Sequence, residues 1–165
     1  MSELISKIHY FLIMSESIIK EIMAQFVQTV PTNSSVLEAT QIMAKLGIGS
    51  LVVTKEGLPV GVFTERDIVT KIASQDLKPS QVLVEKIMSY PIISVEPEMI
   101  IVEAATLMSA YNIRRLVVVE KDGNLAGIVT ATDIASWLAR NEDYKNNTLN
   151  AIARLHDIQQ CIPYQ

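Results

Sequence analysis

The sequence contains one short polar motif twice: a glycine, then a threonine three residues later, then an aspartate three residues after that. The residues are Gly61, Thr64 and Asp67 in the first copy and Gly127, Thr130 and Asp133 in the second. Each motif joins an apolar run to a helical pattern, so the threonine ends a strand and the aspartate lies in the first helical turn. The unpaired N–H groups of a helix N-terminus lie at the same place. A carboxylate there can accept two hydrogen bonds, which suits the vicinal hydroxyls of a ribose.

The same motif also has a purely structural explanation. Threonine followed three residues later by an acid at a helix start is close to a capping box, in which each side chain bonds the other residue's backbone N–H. Ser35 and Glu38 form such a pattern elsewhere in the sequence. Both copies of the motif keep aspartate where a capping box prefers glutamate, which favours binding. The two interpretations are compatible, and both remain open.

The elements that carry the motif recur as a tandem repeat, which is the strongest signal in the sequence. Val36–Ala39 recurs as Ile101–Ala104, 65 residues further on, and Asp67 recurs as Asp133, 66 residues further on. The extra residue falls in the turn where Glu120–Gly123 replaces Lys55–Gly57. Insertions are tolerated in turns, so the change of spacing supports the alignment.

Each copy has the pattern β-α-β-β-α. We predict strands at 27–30, 50–54 and 59–63 and helices at 36–46 and 65–73 in the first copy, and strands at 92–95, 115–120 and 126–129 and helices at 101–111 and 131–140 in the second. Asp122-Gly123 between apolar runs is a strong hairpin signal. The fold class is therefore mixed α+β. One small unit cannot cover both faces of its sheet, so we expect the two copies to pack as a pseudo-two-fold module.

Composition excludes several classes of function. The 165 residues are 49% apolar and carry 18 acidic and 14 basic side chains, a net charge of −4, which argues against a nucleic-acid binder. The chain has one cysteine and two histidines. A single cysteine excludes an intrachain disulfide, and so few cysteines and histidines argue against a zinc site. No motif pairs a nucleophile with a base, so we expect no enzyme. No apolar run reaches the roughly 18 residues of a membrane span, and the lone thiol Cys161 fits a reducing cytoplasm.

The predicted organisation has four parts. Residues 1–18 form an amphipathic N-terminal helix, 19–76 the first copy, 77–140 the second copy, and 141–165 a linker and C-terminal helix. The C-terminal apolar stripe comprises Leu149, Ile152, Leu155 and Ile158, and such stripes serve docking or dimerisation more often than ligand binding. Translation could start at Met1 or at Met14.

The tandem pattern, over residues 19–140, resembles a pair of CBS domains, the regulatory modules named after cystathionine β-synthase. The resemblance implies binding of AMP, ADP, ATP or S-adenosylmethionine in clefts between the paired repeats, with no cofactor required, and a homodimer. It also implies that the adenine base lies at the first strand of each copy. The residues concerned are Thr29 and Val30 in the first copy and Ser94 and Val95 in the second.

A nucleotide phosphate needs positive charge, and arginine can bond two of its oxygens at once. The candidates are Arg66, Arg114 and Arg115, each of which could instead be a solvated surface residue. Gly49-Ser50 corresponds to Arg114-Arg115, and Arg66 corresponds to Thr132. The two copies are therefore unequal in charge. We expect both to bind the ribose and only one to be a strong phosphate site.

The sequence thus predicts a non-enzymatic regulatory module that binds an adenine nucleotide and reports to a partner protein. Ligand would act by favouring one arrangement of the two copies, or of a dimer. We expect no effector domain, so the output would go through another chain or through the N- and C-terminal helices. The alternative is a structural or interaction module whose clefts stay empty, with Thr-x-x-Asp acting only as a cap. An enzyme is a distant third.

Overall fold

The computed structural model describes residues 17–140, which form two three-stranded sheets and their helices. Each sheet contains the three strands of one copy, in chain order. The mixed α+β fold class is confirmed. The predicted helices at the two termini lie outside the described residues.

The first copy runs from β1 to α2. Its elements are β1 (Thr29–Pro31), α1 (Val36–Leu46), β2 (Ser50–Lys55), β3 (Leu58–Thr64) and α2, which begins as Glu65–Asp67 and continues as a π turn (Ile68–Ile72) and a 3-10 turn (Ala73–Gln75). α1 has the bounds that the sequence predicts, because a capping box starts it and a glycine ends it. Ser35 Oγ accepts a hydrogen bond from the N–H of Glu38, whose carboxylate accepts one from Ser35 N–H. Gly47 then adopts φ 64°, a left-handed conformation that glycine tolerates.

The second copy has the same order. Its elements are β4 (Ser94–Val95), α3 (Ile101–Ala110), β5 (Arg115–Val119), β6 (Leu125–Thr130) and α4 (Ala131–Arg140). Short 3-10 turns lie at Ile19–Glu21, Pro79–Gln81 and Val84–Lys86. α3 begins after Ile100 with no side-chain cap. The repeat therefore preserves the elements but not the way in which each helix is started.

Strand pairing in the first sheet places the site-bearing strand at its edge. β1 pairs in parallel with β2, with Val30 opposite Val53, and β2 pairs antiparallel with β3, with Leu51 opposite Phe63. Glu56 and Gly57 join β2 to β3 with φ values of 53° and 84°. Two successive positive φ values match a type I′ hairpin turn, whose twist suits the flanking strands.

The described chain forms two compact units that are not continuous in sequence. One unit comprises Ala24–Ser94 and Val119–Gly127, and the other comprises residues 17–23, Val95–Val118 and residues 128–140. In each unit, a segment from outside the β-α-β-β-α copy bonds to the start of the long helix. In the first, Val36 N–H donates to Val82 O at 2.9 Å; in the second, Ile101 N–H donates to Ser17 O at 3.0 Å.

Equivalent positions of the repeat are buried in both units. The first unit has a core formed by Val30, Val36, Ala39, Met43, Leu51, Val53, Phe63, Ile72, Val84 and Ile87. The matching buried residues of the second unit include Val95, Ile101, Ala104, Met108, Leu116, Val118 and Val129. Burial of these side chains is the main favourable term in folding, and it fixes the strands whose ends carry the motifs. Across residues 17–140, every helix is too short or too polar to span a bilayer.

Candidate functional site

The first junction, where β3 meets α2, is a closed ring of hydrogen bonds. Asp67 Oδ2 accepts from Thr64 N–H at 2.9 Å and from Thr64 Oγ1 at 2.6 Å. Asp67 N–H in turn donates to Thr64 Oγ1 at 3.3 Å. This is a capping box, and it engages one of the two carboxylate oxygens.

The second junction, where β6 meets α4, repeats the same ring. Asp133 Oδ2 accepts from Thr130 N–H at 2.8 Å and from Thr130 Oγ1 at 2.6 Å, and Asp133 N–H donates to Thr130 Oγ1 at 3.2 Å. The structural interpretation of the motif therefore holds at both junctions. In each ring, the second carboxylate oxygen, Oδ1, receives none of these three hydrogen bonds.

At the first junction, Lys71 occupies that second oxygen. Lys71 Nζ donates to Asp67 Oδ1 at 2.7 Å and to the backbone carbonyl of Ile87 at 2.7 Å. The Asp67 side chain is 7% exposed and that of Lys71 is 40% exposed, so the ion pair is partly shielded from water. Both oxygens of Asp67 are thus engaged within the protein.

At the second junction, the position of Lys71 is taken by Trp137, which is 9% exposed and packed in the interior. Among residues 17–140, none donates a hydrogen bond to Asp133 Oδ1, because both bonds from Thr130 go to Oδ2. Asp133 is half-buried, whereas Asp67 is buried. The second junction therefore offers a carboxylate oxygen that could accept a hydrogen bond from a ligand hydroxyl.

The strand opposite each junction brings in different charges. At the first junction, Glu65 N–H donates to Gly49 O at 3.2 Å, and a Cβ built on Gly49 would lie 3.1 Å from Glu65 Oε2. The carboxylate of Glu65 therefore covers Gly49. At the second, Ala131 N–H donates to Arg114 O at 2.9 Å, so an arginine and an alanine replace the glycine and the glutamate. Local charge consequently favours an anion at the second junction more than at the first, where Glu65 adds a negative charge.

The remaining arginine and its counterpart lie beside the boxes. Arg66 is exposed on α2, next to Asp67, and Thr132 is exposed at the matching position of α4. Arg114 is exposed, while Arg115 is half-buried as the first residue of β5 and is engaged in a contact of its own. Each junction thus has basic residues near it. At the second junction these residues, Arg114 and Arg115, lie directly before and at the start of β5.

The motif glycines have a packing role. A Cβ on Gly61 would lie 2.7 Å from Met88 Sδ and 2.9 Å from Ser89 O. The chain at Ser89 pairs with β3 through Val62, with N···O distances of 2.9 and 3.2 Å. Gly61 is therefore required for close approach of the backbone, and Gly127 is buried at the matching place in β6.

The proposed base-binding residues divide by side-chain burial. Val30 is 1% exposed and Val95 is 5% exposed, so both side chains belong to the cores. Thr29 and Ser94, which precede them, are exposed. Only the backbone of β1 and β4 and the two polar side chains could meet a ligand there.

Sequence reasoning missed the two residues that make the junctions differ most, Lys71 and Glu65. Lys71 lies four residues after Asp67 in a helical segment, a spacing at which oppositely charged side chains meet, so the sequence does contain a signal for this pair. It contains none for the bond to Ile87, because that residue is 16 positions away in the chain. The part of the chain between residues 17 and 140 contains no group of three acidic, histidine or cysteine side chains placed to hold a metal ion.

Comparison with known proteins identifies the repeat. The model of the CBS domain family matches residues 19–74 and 84–140. A CBS domain-containing protein of Bacillus subtilis, YhcV, is 34% identical over 126 residues, which cover 76% of this chain and 89% of that protein. An uncharacterized protein of Methanopyrus kandleri is 46% identical over 105 residues, which cover 63% of this chain. The matched region spans about half of that relative's length, 53%.

A solved structure shows the same fold with ligands bound. The CBS domain pair of protein MJ0100, crystallised in complex with 5′-methylthioadenosine and S-adenosyl-L-methionine, is 31% identical, with a TM-score of 0.68. The match covers 74% of this chain and 96% of that one. Both ligands of that protein contain an adenosyl group.

Proposed function

Because this chain belongs to the CBS-domain family, we propose that it is a regulatory module that binds an adenine nucleotide and passes its ligand state to a partner protein. Two CBS matches in tandem, over residues 19–74 and 84–140, support the regulatory class that the family resemblance implies. The similarity to a CBS pair that holds two adenosyl ligands supports the ligand class.

The observation that carries the proposal is the carboxylate of Asp133. Its Oδ2 is held by Thr130, which fixes the orientation of the group, and Oδ1 receives no hydrogen bond from residues 17–140. A ribose hydroxyl would donate to Oδ1. Because the capping box already orders the side chain, the ligand would bind without having to immobilise it.

The phosphate end of the ligand would meet the arginines of the second copy. Arg114 is exposed, and its own carbonyl bonds the first N–H of α4, so its backbone is fixed beside the box. Arg115 begins β5, which lies in the same sheet as β4, the proposed base-binding strand. Thr132 is exposed in the first turn of α4 and could add a hydroxyl donor. The first junction has the corresponding residues Thr29, Arg66 and Asp67. It is less favourable to a nucleotide because Lys71 bonds Asp67 Oδ1 and Glu65 adds a negative charge.

The alternative is a structural module with empty clefts, in which Thr-x-x-Asp acts only as a cap. The boxes at Thr64 and Thr130 satisfy backbone groups at both helix starts, which alone explains why the motif is present twice. Ligand binding must therefore be tested by a change that spares the box.

Asparagine at position 133 provides that test. In Asp133→Asn, the amide oxygen can still accept from Thr130, while the NH₂ group replaces the oxygen that would accept from ribose. Isothermal titration with AMP, ADP, ATP and S-adenosylmethionine should show binding to the wild-type chain, and the variant should bind at least about tenfold more weakly, with little change in melting temperature. If no member of the panel binds or raises the melting temperature at millimolar concentration, the clefts are empty and the alternative is correct.

Transmission to a partner forms the second half of the proposal. The expected homodimer is the simplest such partner, and light scattering coupled to size exclusion, with and without AMP, measures it directly. A mass that stays at 18.3 kDa in both conditions would direct the search to a different protein.

A further inference from the structure

Lys71 is the largest chemical difference between two otherwise matching junctions. We infer that Lys71 closes the first junction to a ribose, because its ammonium group bonds the carboxylate oxygen whose counterpart at the second junction accepts no hydrogen bond from residues 17–140. The module would then bind one adenine nucleotide per chain, at the second junction. This inference rests on the proposed function and limits it to one of the two sites.

The contacts of Lys71 make it a strong competitor for that oxygen. Its Nζ lies 2.7 Å from Asp67 Oδ1 and also 2.7 Å from the carbonyl oxygen of Ile87, a residue 6% exposed in the first core. The hydrogen bond between Lys71 and Asp67 joins two opposite charges, so Coulomb attraction adds to it. A ribose hydroxyl carries no charge, so displacing Lys71 would lose that attraction and leave the ammonium group with one partner fewer.

The backbone of α2 reinforces this arrangement. Lys71 lies within the π turn Ile68–Ile72, whereas the corresponding stretch of α4 is regular α-helix through Trp137. π turns inside helices are rare and often lie at functional positions. In α2 the turn contains both Lys71, bonded to Asp67, and Ile72, which is 2% exposed in the core. The lysine is thus held by a packed segment.

The neighbouring charge acts in the same direction. Glu65 covers Gly49 at the first junction, where the second has Ala131 and Arg114. A phosphate that approached the first junction would meet this carboxylate as well as Arg66. The second junction offers a nucleotide two features: a carboxylate oxygen to which none of residues 17–140 donates, and an arginine, Arg114, with alanine instead of Glu65 beside it. The first junction lacks both features.

A change of one charge tests the inference. Lys71→Met keeps the aliphatic stem and removes the ammonium group, and Lys71→Arg is the matched control that keeps the charge and several donors. Titration with AMP should give about one site per chain for the wild type and for Lys71→Arg, and about two for Lys71→Met, the second within about tenfold of the first in Kd. An unchanged stoichiometry in Lys71→Met, or two equal sites in the wild type, would overturn the inference while leaving the proposed function intact. No binding of AMP, ADP, ATP or S-adenosylmethionine by any of the three chains would instead refute the proposed function, and the inference with it.

A second measurement needs no variant and covers the case in which Lys71→Met does not fold. Amide chemical shifts of the wild-type chain, followed by NMR during titration with AMP, should move at Thr130–Asp133 and stay in place at Thr64–Asp67. Shifts of equal size at both junctions would show that the lysine does not exclude the ligand.

Discussion

The two strand-to-helix junctions share one hydrogen-bond ring and differ in the residue four positions after the aspartate. In both, a threonine and an aspartate cap the helix with the same three bonds. In the first, Lys71 bonds the remaining oxygen of the carboxylate, whereas the second has Trp137 at that position. The motif thus secures the helix start in both copies, and we assign the inferred difference in ligand binding to a residue outside the motif.

The largest expected difference between the two junctions is in how much each aspartate contributes to the free energy of unfolding. Asp67→Ala removes a cap and also leaves Lys71 without its ionic partner, so we expect a loss of about 2–3 kcal/mol of unfolding free energy. Asp133→Ala removes the cap alone and should cost about 1 kcal/mol. For a chain of this size, these losses correspond to decreases in melting temperature of roughly 4–12 °C and 2–4 °C, measurable by calorimetry. Equal losses would mean that the ion pair adds nothing to the first junction.

A smaller effect concerns charge at the second junction. Arg114→Ala should weaken AMP binding about tenfold, because a charge-assisted bond to phosphate is lost. Binding of adenosine, which has no phosphate, should change little in the same variant. Lys45→Ala is the matched control, since it removes another exposed cation, at the end of α1. If both variants weaken AMP binding alike, the effect is general electrostatics rather than a local contact.

The smallest effect distinguishes the starts of α1 and α3, of which only α1 has a side-chain cap. The hydrogen bond from the backbone N–H of Ser35, and then that from its hydroxyl, lower the pKa of Glu38 below its ordinary value of 4.5. The stabilisation by the charged box is therefore complete above pH 4.5 and is lost as the pH falls through the lower folded-state pKa.

Glu38→Gln removes the part of this stabilisation that depends on pH. Melting temperatures measured from neutral pH to about pH 3 should show a gap between wild type and variant that narrows below pH 4.5. A gap that stays constant over this range would show that the ionised form of the box does not contribute.

Local chemistry explains why some elements were predictable. The bounds of α1 follow from Ser35, Glu38 and Gly47, which lie beside the helix ends or in its first turn. The β2–β3 hairpin follows from two apolar runs about a short turn. The first strand is less well predicted, at 27–30 against the observed Thr29–Pro31, because pairing with β2 decides where it starts.

The second helix of the first copy shows the opposite case. Its sequence predicts a continuous helix over 65–73, whereas the chain makes one α turn, a π turn and a 3-10 turn. The difference coincides with contacts from elsewhere in the chain: Lys71 bonds the carbonyl of Ile87, and Ile72 enters the core that also contains Ile87. Local propensity does not include such contacts, so it could not predict the distortion.

The sequence by itself determined the tandem repeat, the β-α-β-β-α order and the two Thr-x-x-Asp junctions, because periodicity, turn residues and caps act over a few neighbouring positions. The spacing of Lys71 from Asp67 already signals their ion pair, but tertiary structure alone decided that the pair is anchored on Ile87. The same box places both carboxylates alike, but a carbonyl 16 residues from Lys71 helps to anchor the ammonium group on Asp67. A hydrogen bond needs its partners within about 3 Å, and only the folded chain sets that distance.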